Sequence, residues 1–263
     1  MIRLPNMLPS RTSFSIILSL AILVLASGCR RDPLVEPEQP TATTGTLRLT
    51  MIPEWNGEPL QFFHEYRNVS DYRTTVEFLK LYWSGVQLTN GQTGITLTDV
   101  ELFDLQHGPV TMEWKVKPGE WTGLRAGLGL PSALNHTDPA LYASTHPMSV
   151  NSGMYWTWAS GYKFVLFEGR YDLDPASNAP FVNAYSIHTG LDTCYTMVQL
   201  YPVDPIVVDT GAVTQVTVRV AVDRFFHGNA GIVDLSTEYA SHGTNIPLAL
   251  KFTHNVEQSF SIE

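Results

Sequence analysis

The chain has 263 residues, 44% of them apolar and only 16% charged, which supplies enough apolar side chain for a packed core and excludes a disordered or collagen-like chain. Sixteen Lys and Arg against 25 Asp and Glu give a net charge of −9. That balance argues against wholesale binding to nucleic acid or to anionic membrane surfaces, because both require clustered cations. One or two domains fit this length.

Residues 1–28 read as a secretory signal, with two arginines and no acid in residues 1–11, an apolar run at 14–26 (FSIILSLAILVLA), and Ser27 and Gly28 just before Cys29. This ending resembles a bacterial lipobox, in which Cys29 is acylated and becomes the mature N-terminus. A spanning anchor is disfavoured, since the run is shorter than the ~20 residues a membrane span needs. The expected location is the bacterial cell envelope, lipid-anchored in the periplasm or at the outer-membrane surface. Loss of residues 1–28 leaves 14 basic against 25 acidic side chains, a distinctly acidic mature protein. With Cys29 lipidated, Cys194 has no intramolecular disulfide partner. Residues 29–45 carry three prolines and few apolar residues, as expected of an extended tether. The folded domain is expected over 46–263.

Within that domain the apolar segments are short, alternating and rich in β-branched or aromatic residues: 46–52 (TLRLTMI), 78–83 (FLKLYW), 95–103 (ITLTDVELF), 110–116 (VTMEWKV) and 213–222 (VTQVTVRVAV). Such a pattern, cut by Gly, Pro and Asn turns, predicts an all-β fold, a single antiparallel β-sandwich. One segment reads as a helix near the C-terminus. Asn245 suits its cap, Pro247 its first turn, and Leu248, Phe252 and Val256 recur four apart.

Standard catalytic signatures are absent: no G-x-x-x-x-G-K-[ST], H-E-x-x-H, G-x-S-x-G or C-x-x-C occurs. Asp172 and Asp174 lie in a turn-rich acidic stretch, where solvation explains them better than acid–base catalysis. The chain therefore reads as a binding protein and not as an enzyme. Its densest chemistry lies between residues 118 and 190. If residues 154–158 are extended, Met154, Trp156 and Trp158 share one face at ~6.6 Å intervals, so that a thioether and two indoles line one wall.

Several strings here resemble the MbnP-like family of copper-associated periplasmic and surface proteins, the type found in methanobactin gene clusters. They are 134–136 (LNH), 153–164 (GMYWTWASGYKF), 167–169 (FEG) and 187–190 (IHTG). The resemblance extends to 46–49 (TLRL), 79–88 (LKLYWSGVQL), 119–124 (GEWTGL) and 222–226 (VDRFF), almost the whole mature chain. It implies a β-rich domain that binds copper, in some members through two histidines and a tryptophan oxidised to kynurenine. It also implies a partner of the diheme cytochrome c peroxidase type that oxidises this tryptophan. Carried onto this chain, the candidates are His136, His188 and either Trp156 or Trp158, with Met154 lining the site. The sequence departs from some relatives in having no Trp after Trp158 and no cysteine pairs.

Imidazole and thioether are matched to copper, and an aromatic wall shields a low-coordinate Cu(I) from water. Against this, a single loop histidine usually just hydrogen-bonds its loop, and a Trp-rich strand is usually core. Of the remaining histidines, His242 ranks first as an extra ligand. His146 and His64 rank lower, and His107, His227 and His254 have turn or surface contexts. The alternative reading is a surface carbohydrate- or protein-binding module with no metal role. Exposed indoles at Trp156 and Trp158 would favour that module, and burial beside two imidazoles would favour copper.

Overall fold

The structure is a computed structural model that describes residues 43–157 and 160–263. The expected signal peptide, Cys29, most of the tether and Trp158 lie outside the described residues.

The first strand, Gly45–Trp55, shows how alternation builds the sandwich. Leu47, Leu49 and Met51 are fully buried, while Arg48, Thr50 and Ile52 between them are half-buried on the other side. This strand is central in its sheet. It pairs antiparallel with Val110–Val116 on one side and parallel with Val213–Ala221 on the other, with Thr46 opposite Val213. Strand Phe260–Ile262 then adds antiparallel to Val213–Ala221.

The second sheet is larger and runs in the order Thr196–Leu200, Gly123–Leu128, Phe78–Asn90, Gly161–Asp172, Asn183–Gly190, Ala240–His242. Its neighbours are antiparallel except the last pair, which is parallel. Side chains from both sheets meet in one core: Leu47, Leu49 and Val218 from the first, with Leu81, Trp83, Phe167 and Ile187 from the second. The architecture is thus the expected all-β sandwich, with two parallel strand pairs added to its antiparallel frame.

The helix Ile246–Glu257 begins as its sequence demands. Asn245 Oδ1 accepts from Leu248 N at 3.3 Å, Pro247 occupies the first turn, and Leu248, Phe252 and Val256 are buried. It covers the core behind strand Asn183–Gly190, with Phe252 stacked on Phe167 at 5.6 Å between ring centroids. Strand Phe260–Ile262 follows it, too short to show alternation in the sequence. A second, four-residue helix at Ser132–Asn135 carries part of the LNH string.

Candidate functional site

Strands Gly161–Asp172 and Asn183–Gly190 pair so that Leu166 faces His188 and Glu168 faces Ser186. Alternation sends Phe167 and Ile187 into the core and leaves Glu168, Ser186 and His188 together on the outer face. The parallel neighbour Ala240–His242 then places His242 in register beside His188. Their ring centroids are 4.9 Å apart.

Ser186 Oγ lies between the two imidazoles, 3.1 Å from His188 Nε2 and 2.9 Å from His242 Nε2. His188 Nε2 also lies 2.6 Å from Glu168 Oε1, which accepts from Ser186 Oγ at 3.3 Å. Burial drives the His188 pKa down to about 4, against the opposing pull of Glu168, so the ring is neutral at neutral pH. A neutral ring that gives its Nε2–H to Glu168 keeps its lone pair on Nδ1, and that buried Nδ1 has no hydrogen-bond partner among the described residues. His188 is only 6% exposed whereas His242 is exposed, so the cluster opens to solvent on the His242 side.

Trp156 closes the other side, its ring centroid 6.1 Å from that of His188. Gly190 makes room for it: a Cβ there would stand 2.7 Å from Trp156 Cζ3 and 2.6 Å from Tyr162 O.

Ser186, His188 and Glu168 are the residue types of a nucleophile–base–acid triad, but their geometry differs in a decisive way. Hydroxyl and carboxylate both address Nε2, while Nδ1 faces neither. A relay needs them on opposite ring nitrogens, so the ring cannot take the serine proton while the acid holds the other side.

The remaining sequence candidates are placed as follows. His136 follows the short helix with its ring about half exposed, Nε2 lying 3.2 Å from Asp192 Oδ2. Asp192 also accepts from Ser132 Oγ and, at 2.9 Å, from Asn135 Nδ2, and these bonds hold its carboxyl below the usual carboxylate range. Asn135 is fully buried and its Oδ1 accepts from Tyr162 N at 2.9 Å. Gly161, at φ +71°, has no space for a Cβ against this amide. The LNH string is therefore a tie between the loop and the start of strand Gly161–Asp172, with His136 on Asp192 just past the strand that carries His188.

Met154 is fully buried in a cluster with Tyr82, Met148, Tyr162 and Phe164. The register of Tyr155–Thr157 against Gly161–Asp172 is irregular, which breaks the strict two-residue alternation expected of 154–158. Two members of the site, Glu168 and Ser186, went unassigned from sequence. The signal for Ser186 was its position two residues before His188, which puts both on one strand face.

Among the described residues, no three His, Cys, Asp or Glu side chains stand grouped as metal ligands. No curated protein matches the chain. Among solved structures, MbnP from Methylosinus trichosporium is similar in fold, with a TM-score of 0.51 at 16% identity, over 83% of this chain and 98% of that one. A family model described as MbnP matches residues 44–244, most of the chain, and the chain therefore belongs to the MbnP family.

Proposed function

We propose that this protein is a lipid-anchored copper-binding protein of the bacterial envelope, and that His188 and His242 hold the ion. The observation that carries the reading is their in-register placement on adjacent parallel strands, with ring centroids 4.9 Å apart. The donor set fits. Two imidazoles suit copper better than harder cations, and a ring kept neutral by burial offers a lone pair without first losing a proton. Glu168 and Ser186 orient the rings from outside, as partners of ligating imidazoles commonly do. The unpartnered Nδ1 of His188 is the orphan atom that such a role accounts for.

Two imidazoles leave room for a further ligand, and the aromatic side of the site is where it would come from. Trp156 lies beside His188, so it is the tryptophan we assign to oxidation by a diheme partner of the cytochrome c peroxidase type. In this reading His136 holds Asp192 and the 132–136 loop and does not serve as a ligand. The protein acts in copper acquisition or handling and catalyses no reaction itself.

The test is calorimetric titration of the mature protein with Cu(I) and Cu(II), in parallel with His188→Ala/His242→Ala. The parent should take up about one ion, and the double variant should bind at least ~100-fold more weakly. Equal affinity in the two would overturn the assignment. Peptide mapping of protein from its native host reads the state of Trp156 separately.

A further inference from the structure

At the far side of the larger sheet, a row of polar side chains crosses three adjacent strands. Gln87 lies opposite Arg125, and Arg125 opposite Gln199. Two residues along, Thr89 lies opposite Gly123, and Tyr201 continues the strand that carries Gln199. The intervening residues Leu88, Leu124 and Leu200 are buried in the core, so the two polar rows share the outward face by strand alternation. Adjacent strands lie ~4.8 Å apart, so a row over three strands spans about 10 Å, comparable to a disaccharide unit.

At the second row, glycines let neighbouring polar groups lie close against the backbone: a Cβ on Gly123 would meet Thr89 Oγ1 at 2.7 Å and Gln199 Nε2 at 3.1 Å, and one on Gly94 would meet Leu88 O at 3.0 Å. The rows line a trough of about 280 Å³, at the small end of ligand clefts. Its walls are amides and hydroxyls, and Tyr201, 72% exposed, offers a ring at its edge.

The electrostatics of the trough differ from those of the molecule. In a chain of net charge −9, no acidic side chain lines it. Arg125 makes no ion pair among the described residues and gives Nη2 to the neutral Gln87 Oε1 at 2.7 Å. The guanidinium is thereby aimed by an amide and keeps donors for an incoming anion.

We infer that this trough binds a saccharide bearing a carboxylate, with Tyr201 stacking on the sugar ring, Gln87, Thr89 and Gln199 bonding its hydroxyls, and Arg125 taking its carboxylate. An aromatic face with flanking amides and hydroxyls matches the mixed apolar and polar faces of a pyranose. A guanidinium fork matches a carboxylate in geometry as well as charge. The site shares no residue with the imidazole cluster and does not rest on copper binding.

Calorimetry on the mature, copper-free protein with trigalacturonate and its methyl ester tests this inference. The acid should bind, and the ester roughly tenfold more weakly. Arg125→Gln should erase the difference between acid and ester, and Tyr201→Ala should weaken both by roughly tenfold. Both positions are exposed, and unchanged thermal melts separate lost binding from lost folding. His188→Ala/His242→Ala should bind the acid as the parent does. Absence of binding by the parent at about 10 mM trigalacturonate overturns the inference. Equal binding by all variants, or displacement of the sugar by an equal concentration of inorganic phosphate, does the same.

Discussion

His188 and His242 come from segments far apart in the chain, yet they sit opposite each other across a parallel strand pair, with ring planes inclined by 60°. Ser186 Oγ bridges their Nε2 atoms. The pair is thus held by backbone register on one side and by a hydroxyl on the other.

The first prediction concerns acid. The folded state keeps His188 neutral down to about pH 4, whereas the unfolded chain takes up that proton near 6.5. Between these values the unfolded state binds more protons, so stability is complete above about pH 6.5 and falls as the pH drops towards 4. At ~1.4 kcal/mol per pKa unit the full loss is about 3–4 kcal/mol. Urea unfolding of copper-free protein from pH 7.5 to 4.5 should show this slope, and His188→Gln should flatten it.

Gly190→Ala tests the seat of Trp156. The added methyl meets both the indole and the Tyr162 carbonyl, so the ring must leave or the strand must shift. The expected result is a loss of about 1–3 kcal/mol together with a changed Trp emission spectrum. An unchanged spectrum and an unchanged melt would contradict this placement of the indole.

Phe167 is the aromatic hub directly behind the site, its ring 5.1 Å from Tyr185, 5.2 Å from Phe225 and 5.5 Å from Phe226. It neighbours Glu168 in the chain, so its loss leaves a cavity under the imidazole cluster. Phe167→Ala should cost about 3–5 kcal/mol in denaturant unfolding.

Cys29→Ser addresses the anchor. On the proposed acylation of Cys29, the substitution should move the protein from the membrane fraction to the soluble fraction without altering its thermal melt. Unchanged membrane retention would refute lipidation at this position.

Most of the frame was legible because strand alternation and helix capping are local properties. Leu47, Leu49 and Met51 declare their buried face within seven residues, and Asn245, Pro247 and Leu248 declare the helix start. The site was legible only in part. Ser186 and His188 share a face by spacing alone, but nothing local to either reveals that Ala240–His242 lies beside them in parallel. His136 drew attention through its motif, yet the deeply buried member of that string is Asn135, whose amide ties two segments together. The irregular register near Met154 is a tertiary outcome that no period predicts.

The parallel pairs also set an order of events. Gly45–Trp55 completes its pairing only when Val213–Ala221 has been made, and His188 gains its neighbour only when residue 242 has arrived. A partly made chain therefore offers separated imidazoles and an open sheet. Any ion taken by the pair must be loaded after the strand that carries residue 242 has docked beside His188.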